Sequence, residues 1–417
     1  LTRINRLGIA RADPARNWRD IGVEGRVRDY DLIIVGAGPA GLSLAARLAQ
    51  APLRIALIDK EPRQNLASPS YDGREIALTR ASIERLRTLG AGQRLAPDES
   101  APLRRAEVLD GASPYVLPFT DRRGDEPLGA LVPNAAIRRI LFESVIEQDN
   151  CDLFAGQAAS IESIDENSAK VRLPDGSQLT GKLIVAADTR FSALRKSQGI
   201  GARMVDFGRT MLVCRVRHAR PHDGIATEWF DRGQTIAMLP LSGNQSSFVL
   251  TLDAHEMAAV RALTDDAFAR QVERRTKKRW GDIALASARY YYPLVAVYAD
   301  RFVAPRFALL GDAAVGMHPV TAHGFNFGLR GAFALGNEIL SAQRQSRDIG
   351  APQGLRRYEQ GHRRATLPLF AATNAIAKLY SDERPLARLA RGAGLRLMNA
   401  TPGARRLVEA SLSGAHA

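Results

Sequence analysis

Four short, unbroken apolar runs stand out along the chain, at Leu32–Val35, at residues 55 to 58, at 183 to 187 and at 307 to 310, the last three followed by an acidic residue directly or after one glycine. Runs of this length without alternation read as strands buried on both faces, the pattern of a parallel sheet covered by helices. Between them the period changes. Residues 39 to 48 repeat at helical spacing, as do Ile83, Leu86 and Leu89 up to Gly90, then Ile137, Ile140, Leu141 and Val145, and finally residues 324 to 343. From 106 to 119 and again from about 200 to 300 polar and apolar positions alternate, with Trp229, Phe230, Met238, Phe248 and Leu252 among the apolar ones and a helical insert from 264 to 280. Alternation predicts a sheet with one face buried, and Asp175-Gly176 predicts a hairpin between two shorter strands. The chain thus divides into a basic arm (1–28), a parallel α/β domain (29–105, 128–199 and 300–345), a mostly-β domain interleaved with it (106–127 and 200–299) and a helical C-terminal region (346–417).

The first apolar run leads into Gly36-Ala-Gly38-Pro-Ala-Gly41. Gly36 permits the tight turn from strand to helix, Gly38 removes a side chain that would hold a pyrophosphate off the backbone, and Gly41 lets the helix pack against the strand. The free N–H groups at the helix start then face the phosphates. The second run ends in Asp59, eighteen residues after Gly41, placed to accept hydrogen bonds from an adenosine ribose. Asp188 and Asp312 end the later runs. In a doubly wound sheet parallel strands finish on one edge, so the three acids line one crevice, which an extended dinucleotide explains better than helix capping does.

Composition narrows the class. With 417 residues there is enough chain for more than one core, and the two cysteines, Cys151 and Cys214, form no metal or disulfide pattern, which points to a reducing, cytoplasmic compartment. The net charge is +14, but the arginines are spread along the chain without interleaved aromatics or a nucleic-acid motif, so no nucleic acid is expected as a partner. No metal site is expected either. The first 28 residues hold seven arginines and begin with Leu1, as a flexible arm, an upstream translation artefact or a processed start would.

The glycine fingerprint, the segment Asp188-Thr-Arg-Phe-Ser192, and Gly311-Asp312-Ala-Ala followed by His318-Pro319 and Gly324-Phe-Asn326-Phe-Gly328 together resemble the FAD-dependent aromatic hydroxylases of ubiquinone biosynthesis. The likeness extends over roughly residues 30 to 410 and is greatest to the bacterial demethoxyubiquinol hydroxylase branch. It implies a p-hydroxybenzoate hydroxylase-like fold: an α/β, Rossmann-like FAD-binding domain, an interleaved mostly-β substrate domain and a helical C-terminus. It also implies that Gly36, Gly38, Gly41 and Asp59 hold the adenosine end of FAD, that Asp312 with Gly311 holds its middle, that Asp188 borders it, and that Arg74 and Asn134 flank it. The backbone at Gly324 and Asn326 would supply donors at the flavin edge. Departures are Thr189 for a usual glycine, Asn134 for Arg or Gln, Ala322-His323 for Gln-Gly, and Gly331 for Asp.

By that resemblance the reaction is hydroxylation of the ring of a polyprenylated phenol or quinol, with NAD(P)H as transient reductant and O2 adding to the reduced flavin as a C4a-hydroperoxide. His323 is the catalytic candidate, because an imidazole can take a phenol proton near neutral pH; contact with the flavin edge alone is the other reading. His318 reads as a turn residue, and Arg190 and Arg195 read as solvated helix charge, with contact to nicotinamide phosphates as the other reading. A flavin reductase of the same fold, a hydroxylase of another substrate and a non-catalytic FAD-binding subunit of a quinone-biosynthesis complex are the alternatives; a halogenase lacks support, since Trp18, Trp229 and Trp280 form no W-x-W segment. Leu386, Leu389, Ala393 and Leu397 share one helical face opposite Arg388 and Arg391, the pattern of a helix lying on an anionic membrane surface, although docking on the FAD domain would use the same stripe.

Overall fold

The computed structural model describes residues 27–111, 116–120, 126–231, 233–318 and 324–381. The apolar runs form the centre of a six-stranded sheet in the order Val303–Ala304, Phe307–Leu309, Leu183–Ala186, Leu32–Val35, Ile55–Asp59, Cys151–Ala155. All neighbours run parallel except the first pair, which is a small hairpin. Leu32, Ile33, Ile34, Leu183, Ile184 and Val185 have no exposed surface, as strands covered on both faces require. Helix Pro39–Arg47 and the later helix Gly324–Arg344 pack side by side over this sheet. The long helix Pro352–Ser381 lies against the second of them.

The alternating segments build a nine-stranded sheet. Its path is Val315–Gly316, Tyr290–Ala299, Ala202–His218, Gln245–Asp253, Gln234–Pro240, Ile225–Asp231, Arg105–Asp110, Val116–Thr120, with Ile283–Leu285 on the side of the long third strand. One face carries Leu212, Cys214, Val216, Phe248 and Leu250, which pack with Met257, Val260, Phe268 and Val272 of the helices Ala254–Arg261 and Asp265–Arg275. The other face looks toward a three-stranded sheet, Glu75–Thr79, Gly129–Pro133 and Ala101–Leu103.

Two boundaries differ from the sequence reading. Val27–Asp29 is already a strand, pairing in parallel with Gln178–Gly181 in a separate four-stranded sheet, so the basic arm does not extend to residue 28. Its partner lies about 150 residues away, which no local pattern reveals. The helical insert starts from its cap Thr264 as expected but ends at Arg275, and a second helix, Ala254–Arg261, precedes it; each is capped by a side chain, Asp253 accepting from His255 N and Thr264 from Ala267 N.

Candidate cofactor and substrate site

The glycine turn has the stereochemistry its chemistry needs. Gly36 has φ +113°, and a Cβ there would lie 2.3 Å from the Ala187 carbonyl oxygen; a Cβ on Gly41 would lie 1.9 Å from the Gly36 carbonyl oxygen. Gly38 is different, because nothing lies within 4 Å of a Cβ built on it. The space in front of Gly38 is open to a ligand. Gly38 caps helix Pro39–Arg47 without any side-chain cap bond, so the first-turn N–H groups are left for an anion.

Asp59 does more than stand at a strand tip. Its Oδ2 accepts from Ala37 N at 2.6 Å and its Oδ1 from Glu61 N at 2.8 Å, so the carboxylate clamps the glycine turn to the end of the second strand. Because Phe307–Leu309, Leu183–Ala186, Leu32–Val35 and Ile55–Asp59 are all parallel, Asp59, Asp188 and Asp312 emerge at the same edge of the sheet. Asp188 has a buried Oδ1 with no partner, and burial raises its pKa against the hydrogen bonds from Ser192 and the backbone. Gly311 has φ +61°, and a Cβ there would meet the Ala40 Cβ at 2.7 Å, so the Asp312 turn sits directly on the start of the fingerprint helix.

The two arginines read as solvated are structural. Arg190 donates to Val295 O at 2.8 Å and pairs with Asp312 Oδ2 at 3.0 Å. Arg195 is only 2% exposed, and its Nη1 donates to both Arg190 O and Ala313 O at 2.9 Å. Charge beside a helix start looks solvated in a sequence because burial across 118 residues is not written there.

Arg74 and Asn134 meet, but on a protein acid. Arg74 Nε and Asn134 Nδ2 both donate to Asp72 Oδ2, at 3.0 and 2.8 Å, and Tyr292 donates to the Asp72 carbonyl oxygen at 2.6 Å. Burial would raise the Asp72 pKa, yet Arg74 and Asn134 bring it below its ordinary value. Asp72 is a hub that sequence reading passed over, its only signal being its place in Asp72-Gly-Arg74. Asn326 is a staple: its Nδ2 donates to Ala77 O at 2.9 Å and its Oδ1 accepts from Thr79 N at 3.3 Å, fixing the start of helix Gly324–Arg344 to the Glu75 strand. The Asn326 side chain is thereby occupied, while among the described residues nothing lies within 4 Å of a Cβ built on Gly324.

Across from residues 71 to 77, the inner face of the large sheet presents Met211, Val213 and Leu294, buried together with Phe207, Val249 and Tyr292 against them. Tyr290 meets Tyr71 edge to face, with centroids 5.7 Å apart. His318 is 7% exposed and packs edge-on against Phe207 at 4.6 Å; burial and Arg209 push its pKa down to about 4, so it is a neutral ring in this wall. His323 lies outside the described residues. Among those described, no cluster of His, Cys, Asp and Glu could hold a metal ion.

These residues fit a dinucleotide: an open cradle at Gly38, uncapped helix amides, and a strand-edge acid with an unpartnered buried oxygen. A family model described as "FAD binding domain" matches residues 29–367. The ubiquinone hydroxylase UbiM of Neisseria meningitidis is 43% identical over 389 residues, covering 92% of this chain and 84% of that protein. The ubiquinone hydroxylase UbiL of Rhodospirillum rubrum is 34% identical, covering 93% and 90%. Among solved structures, HpxO of Klebsiella pneumoniae in complex with FAD and uric acid superposes with a TM-score of 0.70 at 22% identity, covering 93% of this chain and 98% of that one.

Proposed function

Since this chain belongs to the FAD binding domain family, we propose that it is an FAD-dependent monooxygenase that hydroxylates the aromatic ring of a polyprenylated phenol or quinol in the ubiquinone pathway. The observation that carries this reading is the relation to ubiquinone hydroxylases along nine-tenths of the chain. Bound FAD would supply the redox chemistry, taking hydride from NAD(P)H and delivering one atom of O2 to the ring while the other leaves as water.

The protein's own part is holding and excluding. The Gly36–Gly41 turn and the Asp312 turn grip the phosphate and ribityl portions, and Arg190 and Arg195 fix the Asp312 turn. The Asp72 hub sets the loop between the cofactor half and the large sheet. Met211, Val213 and Leu294 keep water from the space where the ring would lie. No side-chain nucleophile is required.

A polyprenyl tail is insoluble in water, so the substrate must be taken from a membrane. No described helix is long and apolar enough to cross one. Surface attachment through the basic stretch beyond Ser381, which lies outside the described residues, is the route this reading favours.

The test is turnover of a short-prenyl phenol by the FAD-loaded protein, with the product analysed by mass and NAD(P)H consumption measured alongside. One oxygen atom added per NAD(P)H supports the reading. Slow NAD(P)H oxidation that no phenol or quinol accelerates would overturn it in favour of a non-catalytic subunit.

A further inference from the structure

Polar groups on the inner face of the large sheet remain that the cofactor cleft does not use. Arg215 pairs in register with Ser247, and Ser247 with Leu239, on three adjacent strands. Residues directly opposite in a sheet share a face, so these three side chains form one row. Leu239 and, from the facing strand, Ala77 both pack against the cluster of Ala101, Leu131 and Leu241, and Glu75, two residues before Ala77, lies on the same side of that strand. Arg215 spans the gap: its Nε donates to Glu75 Oε1 at 2.7 Å, and the Tyr71 hydroxyl donates to that same oxygen at 2.9 Å. The guanidinium also covers the Tyr71 ring at 4.5 Å.

All of these contacts converge on Oε1. Glu75 Oε2 has no partner although the side chain has no exposed surface, and Ser247 Oγ has none although Ser247 is fully buried. Unsatisfied buried polar atoms are rare in folded proteins, and here two come from different sheets that face each other. The next row on the large sheet is the apolar Val213 and Val249. Two unsatisfied polar atoms beside an apolar wall are the makings of a small-molecule site.

We propose that Glu75 Oε2 and Ser247 Oγ hold the ring hydroxyl of the substrate: the carboxylate accepts the phenolic O–H, and the serine hydroxyl donates to the same oxygen. This inference rests on the hydroxylase reading and names the polar contacts within it. Arg215 and Tyr71 are positioning residues, since by fixing Oε1 they leave Oε2 one direction to point. A phenol whose hydrogen is shared with a carboxylate has more electron density at its ortho and para carbons, where an electrophilic oxygen attacks. An aryl ether has no hydrogen to give, so the pair selects free phenols and quinols over their ethers.

The experiment titrates the full-length, FAD-loaded protein with a short-prenyl methoxyphenol and, separately, with its methyl ether, following the flavin absorption change to obtain Kd. Wild type should bind the phenol about tenfold or more tighter than the ether, the discrimination expected of a hydrogen bond to a charged group. E75Q, whose amide can set a donor where Oε2 was, should lose that preference, and S247A should weaken phenol binding about three- to tenfold, the worth of a neutral hydrogen bond. Neither should weaken ether binding. S247A removes only a hydroxyl and leaves the Arg215–Glu75 pair intact, so it tests the site even if E75Q folds poorly. Unchanged phenol affinity in both variants would mean that the two atoms hold a buried water, and equal losses for phenol and ether would mean a structural role; either result overturns the inference while leaving the hydroxylase reading standing. A wild type that binds neither compound and hydroxylates nothing would overturn the hydroxylase reading itself.

Discussion

Arg190 and Asp312, 122 residues apart, form an ion pair at 3.0 Å that ties the segment after the Leu183–Ala186 strand to the turn after Phe307–Leu309. The same guanidinium bonds the Val295 carbonyl of the large sheet, so one side chain sets the position of the strand-edge acid Asp312 relative to both sheets. Asp312→Ala should weaken FAD binding by roughly ten- to a hundredfold, the range for losing a hydrogen bond to a charged group. Arg190→Met should cost less, because Asp312 remains in place and loses only its support. Titration of the apoprotein by flavin fluorescence quenching orders the two, and a larger loss for Arg190→Met would show that the arginine itself meets the cofactor.

Gly38 and Gly41 should separate folding from cofactor binding. An added methyl at Gly41 would lie 1.9 Å from a carbonyl oxygen, so Gly41→Ala should fail to give soluble folded protein. At Gly38 there is open space, and the apoprotein of Gly38→Ala should melt within about 1 kcal/mol of wild type while FAD affinity falls about tenfold or more, because the methyl occupies the approach of the pyrophosphate. Equal FAD affinity in Gly38→Ala would move the phosphates elsewhere.

His362 makes stability depend on pH. It is 2% exposed, stacks on Tyr358 at 5.6 Å and has an unpartnered Nδ1; burial, with Arg330 adding to it, pushes its pKa down to about 4. The unfolded chain, with an ordinary histidine near 6.5, takes the proton first. Stability is therefore level above pH 6.5, falls as pH drops from 6.5 toward 4, and the full loss from this group is about 3 kcal/mol. The difference in melting behaviour between wild type and His362→Phe isolates it. If that difference is the same at pH 7 and pH 5, His362 is not the group responsible.

The basic excess beyond residue 377 sets a further expectation. Lys378, Arg384, Arg388, Arg391, Arg396, Arg405 and Arg406 outnumber Asp382, Glu383 and Glu409 by four. At about 1 kcal/mol per basic residue near anionic lipid, that excess can hold a protein reversibly at a surface. Truncation after Tyr380 should reduce co-sedimentation with phosphatidylglycerol vesicles, and raised salt should release the full-length protein. Full-length protein that ignores such vesicles at low salt would require a partner protein to deliver the substrate.

What the sequence made legible was local. The Gly36–Gly41 turn and its flanking strand and helix are encoded within sixteen residues, Leu32 to Arg47, and Asp188 and Asp312 are visible because a buried strand must end in something polar. Groups whose partners lie on another sheet were not legible. Asp72 collects Arg74, Asn134 and Tyr292, and Glu75 meets Arg215 across 140 positions. Their side chains are ordinary charged residues until the fold brings them together, and periodicity reports only which face a residue takes. The same limit explains Arg195, whose helical setting suggested water and whose actual neighbours are two carbonyl oxygens.

The Phe307–Leu309 strand pairs with Leu183–Ala186 inside the parallel sheet, with six of the nine strands of the large sheet intervening in the chain. During synthesis, the ribosome must therefore extrude the Asp312 turn before the nucleotide cleft can close, and until then Arg195 has no Ala313 carbonyl to bond. The nascent chain exposes one edge of an apolar sheet for the time it takes to make more than a hundred residues. Chaperone demand in the cell should accordingly peak late in translation, and a chain released before residue 313 should aggregate rather than persist as an independent cofactor-binding fragment.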